Sequence, residues 1–170
     1  ADTITGAGGN DKALMGAGND LFLWAPGGGN DTIGGGTGTD TLRFTASAGI
    51  ESIVISAIGA RGQVFRNIGI FATDLNDVER IELQALGNAD TIIVNDLTGT
   101  DLKLVAVDLA GATAGTGDGA VDAVHVNGSN AANTINVAQA GGLVSVTGLP
   151  AQVSLANAHA NERLHVNGQG

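Results

Sequence analysis

Cysteine and tyrosine are absent from this chain, and tryptophan and methionine occur once each. Without cysteine there is no disulfide framework and no thiolate metal site, so zinc of the cysteine type is excluded. Aromatic residues make up only 3% against 43% hydrophobic residues overall, so the core must be built mainly from small aliphatic side chains. No run of 18 or more apolar residues exists to form a membrane-spanning helix. Residues 1 to 20 also lack the basic start and apolar stretch of a secretory signal, so any export must be directed from elsewhere. Positive charge is scarce: 7 basic residues face 17 acidic ones, for a net charge of -10. That balance argues against nucleic acid or an anionic membrane as partner, since both attract a positive surface, and in favour of cations.

Glycine is abundant, with 28 residues in 170. Each interior helical glycine costs about 1 kcal/mol, which disfavours a helical bundle and points to a tightly turning β-chain. The turns recur. Asp2, Asp11, Asp20, Asp31 and Asp40 follow one another at intervals of 9, 9, 11 and 9. Behind the last four stand the turns Gly6-Ala7-Gly8-Gly9-Asn10, Met15-Gly16-Ala17-Gly18-Asn19, Pro26-Gly27-Gly28-Gly29-Asn30 and Gly35-Gly36-Thr37-Gly38-Thr39. Two residues after each acid comes Ile4, Ala13, Phe22, Ile33 or Leu42, so the period predicts one inward side chain per short strand.

The segment Gly35 to Arg43 fits the pattern G-G-x-G-x-D-x-U-x at every position, and the other three turns depart from it at Ala7, Met15 and Pro26. This segment resembles the nonapeptide of RTX proteins, the secreted haemolysin-type calcium-binding family. The resemblance covers residues 1 to 44. It implies a calcium-binding parallel β-roll, a secreted or cell-surface bacterial parent and type I secretion through a C-terminal signal. The chain opens and closes as an excised fragment would.

An 18-residue pair of repeats makes one coil, so alternate repeats should lie one strand spacing apart. This places Asp11 beside Asp31 and Asp20 beside Asp40, with Asp2 and Asp20 as a partial third pair. Two bare carboxylates about 5 Å apart repel by about 3 kcal/mol at an effective dielectric near 20, so each pair calls for a cation. Carbonyls of the turns at Gly6, Gly8, Gly16, Gly18, Gly27, Gly29, Gly36 and Gly38 would complete the six to eight hard oxygens that Ca²⁺ takes.

From about residue 45 the nonapeptide fades, and residues 45–170 read as degenerate repeats of 40 to 43 residues. Glu79 to Leu83 is followed 11 residues on by Asp90 to Val94, and Asp122 to Val126 is followed 11 on by Asn133 to Val137. A further copy begins near Asn161 and echoes Val121 to Gly128 at an offset of 40. Alternating stretches at Ser52–Ser56, Gln63–Arg66, Leu102–Val107 and Leu143–Val146 read as strands. The fold expected is all-β: a parallel β-roll or β-solenoid running into larger degenerate β-helix coils, with a separate sandwich-like module after residue 45 as the alternative. Ile81, Leu83, Ile92, Val94, Val124, Val126, Ile135 and Val137 should form the later core, and this part is expected to be poor in metal.

Charge is uneven, and residues 74 to 122 alone carry a net of -8. Glu79, Glu82, Asp90 and Asp96 could form an acid-base cluster, but outward carboxylates on strands are usually just solvated. His125, His159 and His165 read as outward strand residues, with His125 and His165 about two coils apart. Trp24, with Leu21, Leu23 and Pro26, reads as a flap over the side of the roll.

The sequence thus predicts a non-enzymatic calcium-binding module that folds on Ca²⁺ after export and is secreted or exposed at a cell surface. Neither nucleic acid nor membrane insertion is expected, and a surface polysaccharide or self-association is left open. The alternative is an accessory module of a secreted protease, lipase or polysaccharide epimerase.

Overall fold

The computed structural model describes residues 1–113 and 115–169. The chain is all-β, with sixteen strands numbered along the sequence and no helix among the described residues. Two eight-stranded sheets form. The first runs in the order β1 (Thr3–Thr5), β3 (Leu21–Trp24), β5 (Thr41–Thr45), β9 (Arg80–Leu86), β11 (Leu104–Gly111), β15 (Gln152–Ala156), β14 (Leu143–Thr147) and β13 (Asn136–Ala140). The second runs β16 (Arg163–Asn167), β12 (Ala123–Asn127), β10 (Thr91–Val94), β6 (Ser52–Ile58), β7 (Arg61–Arg66), β8 (Phe71–Asn76), β4 (Thr32–Thr37) and β2 (Lys12–Ala17).

Both sheets are mixed. In the first, β1 through β15 pair in parallel and the last two strands turn back antiparallel. In the second, two parallel blocks flank the antiparallel meander β6–β7–β8. Strands of three to eight residues that alternate inward aliphatic and outward polar side chains suit such pairing. In β5, for example, Leu42 and Phe44 are buried between half-buried Thr41, Arg43 and Thr45.

One hydrophobic core runs from Met15 to Leu155. The expected inward residues Phe22, Ile33, Leu42, Ile81, Leu83, Ile92, Val94, Val124 and Val126 are all buried in it, while Ile4 and Ala13 pack at its margin.

Three expectations are corrected. Trp24 is not a flap: it is 2% exposed, stacks on Phe44 with ring centroids 4.1 Å apart, and meets Phe71 edge-on. Strand alternation turns it inward, and its Nε1 donates to the Gly29 carbonyl, which satisfies the buried indole. Val137, expected in the core, is 50% exposed on β13, and Ile135 only packs at the margin. The cause is the turn Gly141-Gly142, whose φ values of 58° and 81° make the two-residue hairpin that joins β13 to β14 and overrides the 43-residue echo. Finally, His125 and His165 are direct neighbours on paired strands, with rings stacked at 4.6 Å, not two coils apart.

Candidate metal centre: columns of stacked carboxylates

An acidic residue stands immediately before ten of the strands. These are Asp2, Asp11, Asp20, Asp31, Asp40, Glu51, Glu79, Asp90, Asp122 and Glu162. Parallel register converts that position into stacks. Because Thr3 pairs Leu21, Leu21 pairs Thr41 and Thr41 pairs Arg80, the preceding acids Asp2, Asp20, Asp40 and Glu79 line up along one edge of the first sheet. On the second sheet the same logic stacks Asp11 on Asp31, and separately stacks Glu51, Asp90, Asp122 and Glu162.

One hydrogen-bond rule holds within every column: the backbone N–H of each acid donates to the side chain of the acid on the next strand. Asp20 donates to Asp40 Oδ1 at 2.8 Å, Asp11 to Asp31 Oδ1 at 2.9 Å and Asp2 to Asp20 Oδ1 at 2.5 Å. The first column continues with Asp40 donating to Glu79 Oε2 at 2.7 Å. In the third, Glu51 donates to Asp90 Oδ1 and Asp90 to Asp122 Oδ1, both at 2.8 Å, and Asp122 donates to Glu162 Oε2. The three pairs expected from alternate repeats are therefore brought together. Glu51, Glu79, Asp90, Asp122 and Glu162 join them by a route the sequence reading missed. Their signal was an acid directly before an alternating strand, without a glycine turn.

These carboxyls are deeply placed: Asp40 is 0% exposed, Asp90 1%, and Asp20, Asp31 and Asp122 2%. One oxygen of each accepts the neighbouring N–H. The second oxygen, Oδ2, is buried with no hydrogen-bond donor in Asp11, Asp20, Asp31, Asp40 and Asp90. A buried anionic oxygen without a donor is costly, which favours either protonation or a cation. Burial accordingly raises the Asp31 carboxyl, the Asp11 N–H pulls it back, and the Asp11 charge adds to the rise. Asp90 is pushed up to about 7, by burial first and then by the charges of Asp122, Glu51 and Asp118, against the lowering N–H bond from Glu51. Asp122 is pushed up to about 6 by burial and by the charges of Glu162 and Asp118, opposed by its own N–H bond from Asp90.

Glu51 differs. Burial works to raise its carboxyl, but hydrogen bonds from the Arg66 guanidinium and Ser47, together with the Arg66 charge, outweigh it and hold the group below its usual range. Arg66 is itself buried, caps this column from the antiparallel strand β7, and lies over the Trp24 ring at 5.9 Å.

The glycines make room for this arrangement. A Cβ on Gly6 would lie 3.0 Å from Asp11 Oδ2 and 3.3 Å from Asp31 Oδ2, so both oxygens converge on the face that glycine leaves open. A Cβ on Gly38 (φ 142°) would overlap the Gly18 carbonyl, and one on Gly29 would overlap that of Gly9. The turns thus nest, with carbonyls packed against the next turn. Gly16, Gly27 and Gly36 share the positive φ, whereas Gly6 and Gly8 do not.

The donors fit a hard cation: carboxylate oxygens short of partners beside a carbonyl-rich backbone, with no sulfur. Among the described residues no three His, Cys, Asp or Glu side chains converge on a point, so at most two carboxylates serve any one ion and carbonyls must complete the shell. The suggested acid-base cluster does not assemble. Glu79 and Asp90 border different sheets, and Glu82 is held by Arg43 at 2.8 Å and Arg80 at 3.0 Å.

On the outer face of the first sheet a groove of about 470 Å³ is lined by Arg43, Arg80, Glu82, Gln84, Asp108 and Gln152, among others. It places two guanidiniums on one carboxylate in a chain of net charge -10. No protein-family model, no curated protein and no solved structure matches the chain.

Proposed function

We propose that this chain is a calcium-binding structural module of a secreted or cell-surface RTX-type protein, built as a parallel β-roll of nonapeptide turns running on into larger solenoid coils. One observation carries the reading. Of the four aspartates that close a complete nonapeptide turn, Asp20, Asp31 and Asp40 each spend one oxygen on a neighbouring backbone N–H, and all four hold Oδ2 buried without a donor. Asp11 with Asp31 and Asp20 with Asp40 would hold the ions, assisted by carbonyls of the glycine turns, and Asp2 would add a partial site to Asp20. A bound divalent cation supplies the countercharge that packing cannot, and so couples folding to calcium in the compartment where calcium is abundant. The module has no catalytic role of its own, and neither nucleic acid nor membrane insertion belongs to its function.

Calorimetric titration of the chelated chain with calcium tests this. Asp20→Ala should lower the stoichiometry by at least one, because Asp20 borders both Asp2 and Asp40. A chain that binds no calcium, or a variant with the parent stoichiometry, contradicts the proposal.

The second reading is an accessory module of a secreted protease, lipase or polysaccharide epimerase. The groove lined by Arg43, Arg80, Glu82 and Asp108 favours it, since two guanidiniums and two carboxylates, balanced in charge, offer hydrogen-bond donors and acceptors to a saccharide.

A further inference from the structure

The acid-before-strand arrangement does not stop where the glycine turns stop. Among the described residues five buried Oδ2 atoms lack a donor, and four of them belong to nonapeptide aspartates. The fifth is Asp90, which lies outside any glycine-rich repeat. Its surroundings repeat those of Asp20 and Asp40 in each respect that matters. The residue is 1% exposed, its Oδ1 accepts the N–H of the acid on the preceding strand, and its own N–H reaches the carboxylate of the next acid, Asp122, itself 2% exposed. A lone buried oxygen of this kind is no accident of fraying, because β10 is flanked on both sides by parallel strands in register.

The two ends of the column are unequal. Toward β6, the charge of Glu51 is answered by Arg66 and Ser47, which both hydrogen-bond to its carboxyl. Toward β12, among the described residues, no basic side chain pairs with Asp90, Asp122 or Glu162. Asp122, Glu162 and the nearby Asp118 are all acidic, and Asp118 lies against the turn that precedes Asp90, with its Oδ2 within 3.5 Å of a Cβ on Gly87. A sheet edge that neutralises one acid with a buried arginine and leaves the next two facing each other calls for positive charge between Asp90 and Asp122. Rung spacing of about 4.8 Å suits one ion bridging two hard carboxylates at 2.3 to 2.6 Å each.

We propose that Asp90 and Asp122 form a further calcium site, independent of any glycine-rich turn, in the part of the chain whose sequence reads as metal-poor. The inference rests on the calcium reading of the nonapeptide turns, since it extends their signature to a fifth aspartate. Backbone carbonyls complete the shell, because no third carboxylate converges there.

Hydrogen exchange of the full parent chain, in chelator and then in calcium alone, tests the site without any variant. At calcium about 100 times the dissociation constant, amides whose exchange requires opening of a filled site slow about 100-fold. Slowing at Asp90, Thr91 and Ala123 supports the inference. Slowing confined to the segment from Asn10 to Thr41 overturns it while leaving the nonapeptide reading intact. Slowing at Asp90 with none at Asp20 or Asp40 would remove the nonapeptide reading instead, and with it the basis of the extension. Calorimetry of Asp90→Asn and Asp20→Asn adds a count: each should lose at least one ion, and the double variant the sum. An unchanged count in Asp90→Asn overturns the inference.

Discussion

Residues 1 to 44 and residues 45 to 169 solve one electrostatic problem in two ways. Both stack acids at the entrance to parallel strands, and in both the N–H of one acid donates to the carboxylate of the next. In the first part the carbonyls of Gly9, Gly16 and Gly18 pack against the glycines of the next turn, and Asp11, Asp20, Asp31 and Asp40 keep an oxygen free of donors. In the second the turns are ordinary, yet a buried arginine answers one acid, and the column beyond it is left with three. The position of an acid relative to its strand therefore decides the stacking, and turn composition decides only how the stack is neutralised.

The largest effect that would break this comparison lies at Arg66. Replacing it with Ala leaves Glu51, 2% exposed, without its countercharge, and breaking a buried pair from one side costs about 3–5 kcal/mol. Denaturant unfolding should show a loss of that order. Restoring neutrality with Glu51→Gln in the same chain should recover most of it, and a loss that persists in the double variant would mean that packing on Trp24, not charge, sets the role of Arg66.

A pH titration gives an effect of intermediate size. The Asp90 carboxyl, pushed up to about 7, holds a proton in the folded chain that the unfolded chain, with an ordinary value near 4, has released. Between those limits folding takes up a proton, so stability in chelator should fall as pH rises from about 4 to about 7, by at most about 1.4 kcal/mol per pH unit, and then level off. Asp122, pushed up to about 6, adds to the slope below that pH, while Glu51, held low beside Arg66, opposes it only at the acid end. Asp90→Asn should flatten the profile. A parent profile that rises across the same range would contradict the sign.

The smallest effect belongs to the exposed pair Arg61–Asp74, whose side chains are 35% and 43% exposed. Arg61→Gln should change stability by less than about 1 kcal/mol, in contrast to Arg66 five residues along the same strand. A comparable loss at both would erase the distinction between a buried cap and a surface pair.

Much of residues 1 to 44 could be read in the sequence because two short-range signals agree there. The nine-residue spacing set both the strand positions and the pairing of Asp11 with Asp31 and Asp20 with Asp40, since a period that short leaves one way to stack. Beyond residue 45 the strands at Ser52, Gln63, Arg80, Thr91 and Ala123 were legible from alternation, but their partners were not. The β6–β7–β8 meander and the hairpin at Gly141-Gly142 insert antiparallel strands that shift which acids become neighbours, so Asp90 lies beside Asp122 at a separation of 32 residues instead of the repeat length. The Glu51–Arg66 pair follows from the meander alone, and no local pattern announces it. Trp24 was misplaced because Leu21-Phe22-Leu23-Trp24 is apolar throughout, and only the alternation of β3 tells which side is inward.

The most direct measurement is a crystal grown in calcium with anomalous scattering recorded at a wavelength where calcium contributes. The account predicts anomalous peaks beside the Oδ2 atoms of the Asp11–Asp31 and Asp20–Asp40 pairs, with carbonyl oxygens of the glycine turns at 2.3 to 2.6 Å. Ordered chains whose four aspartates face water or one another, with no peak at either pair, would contradict it.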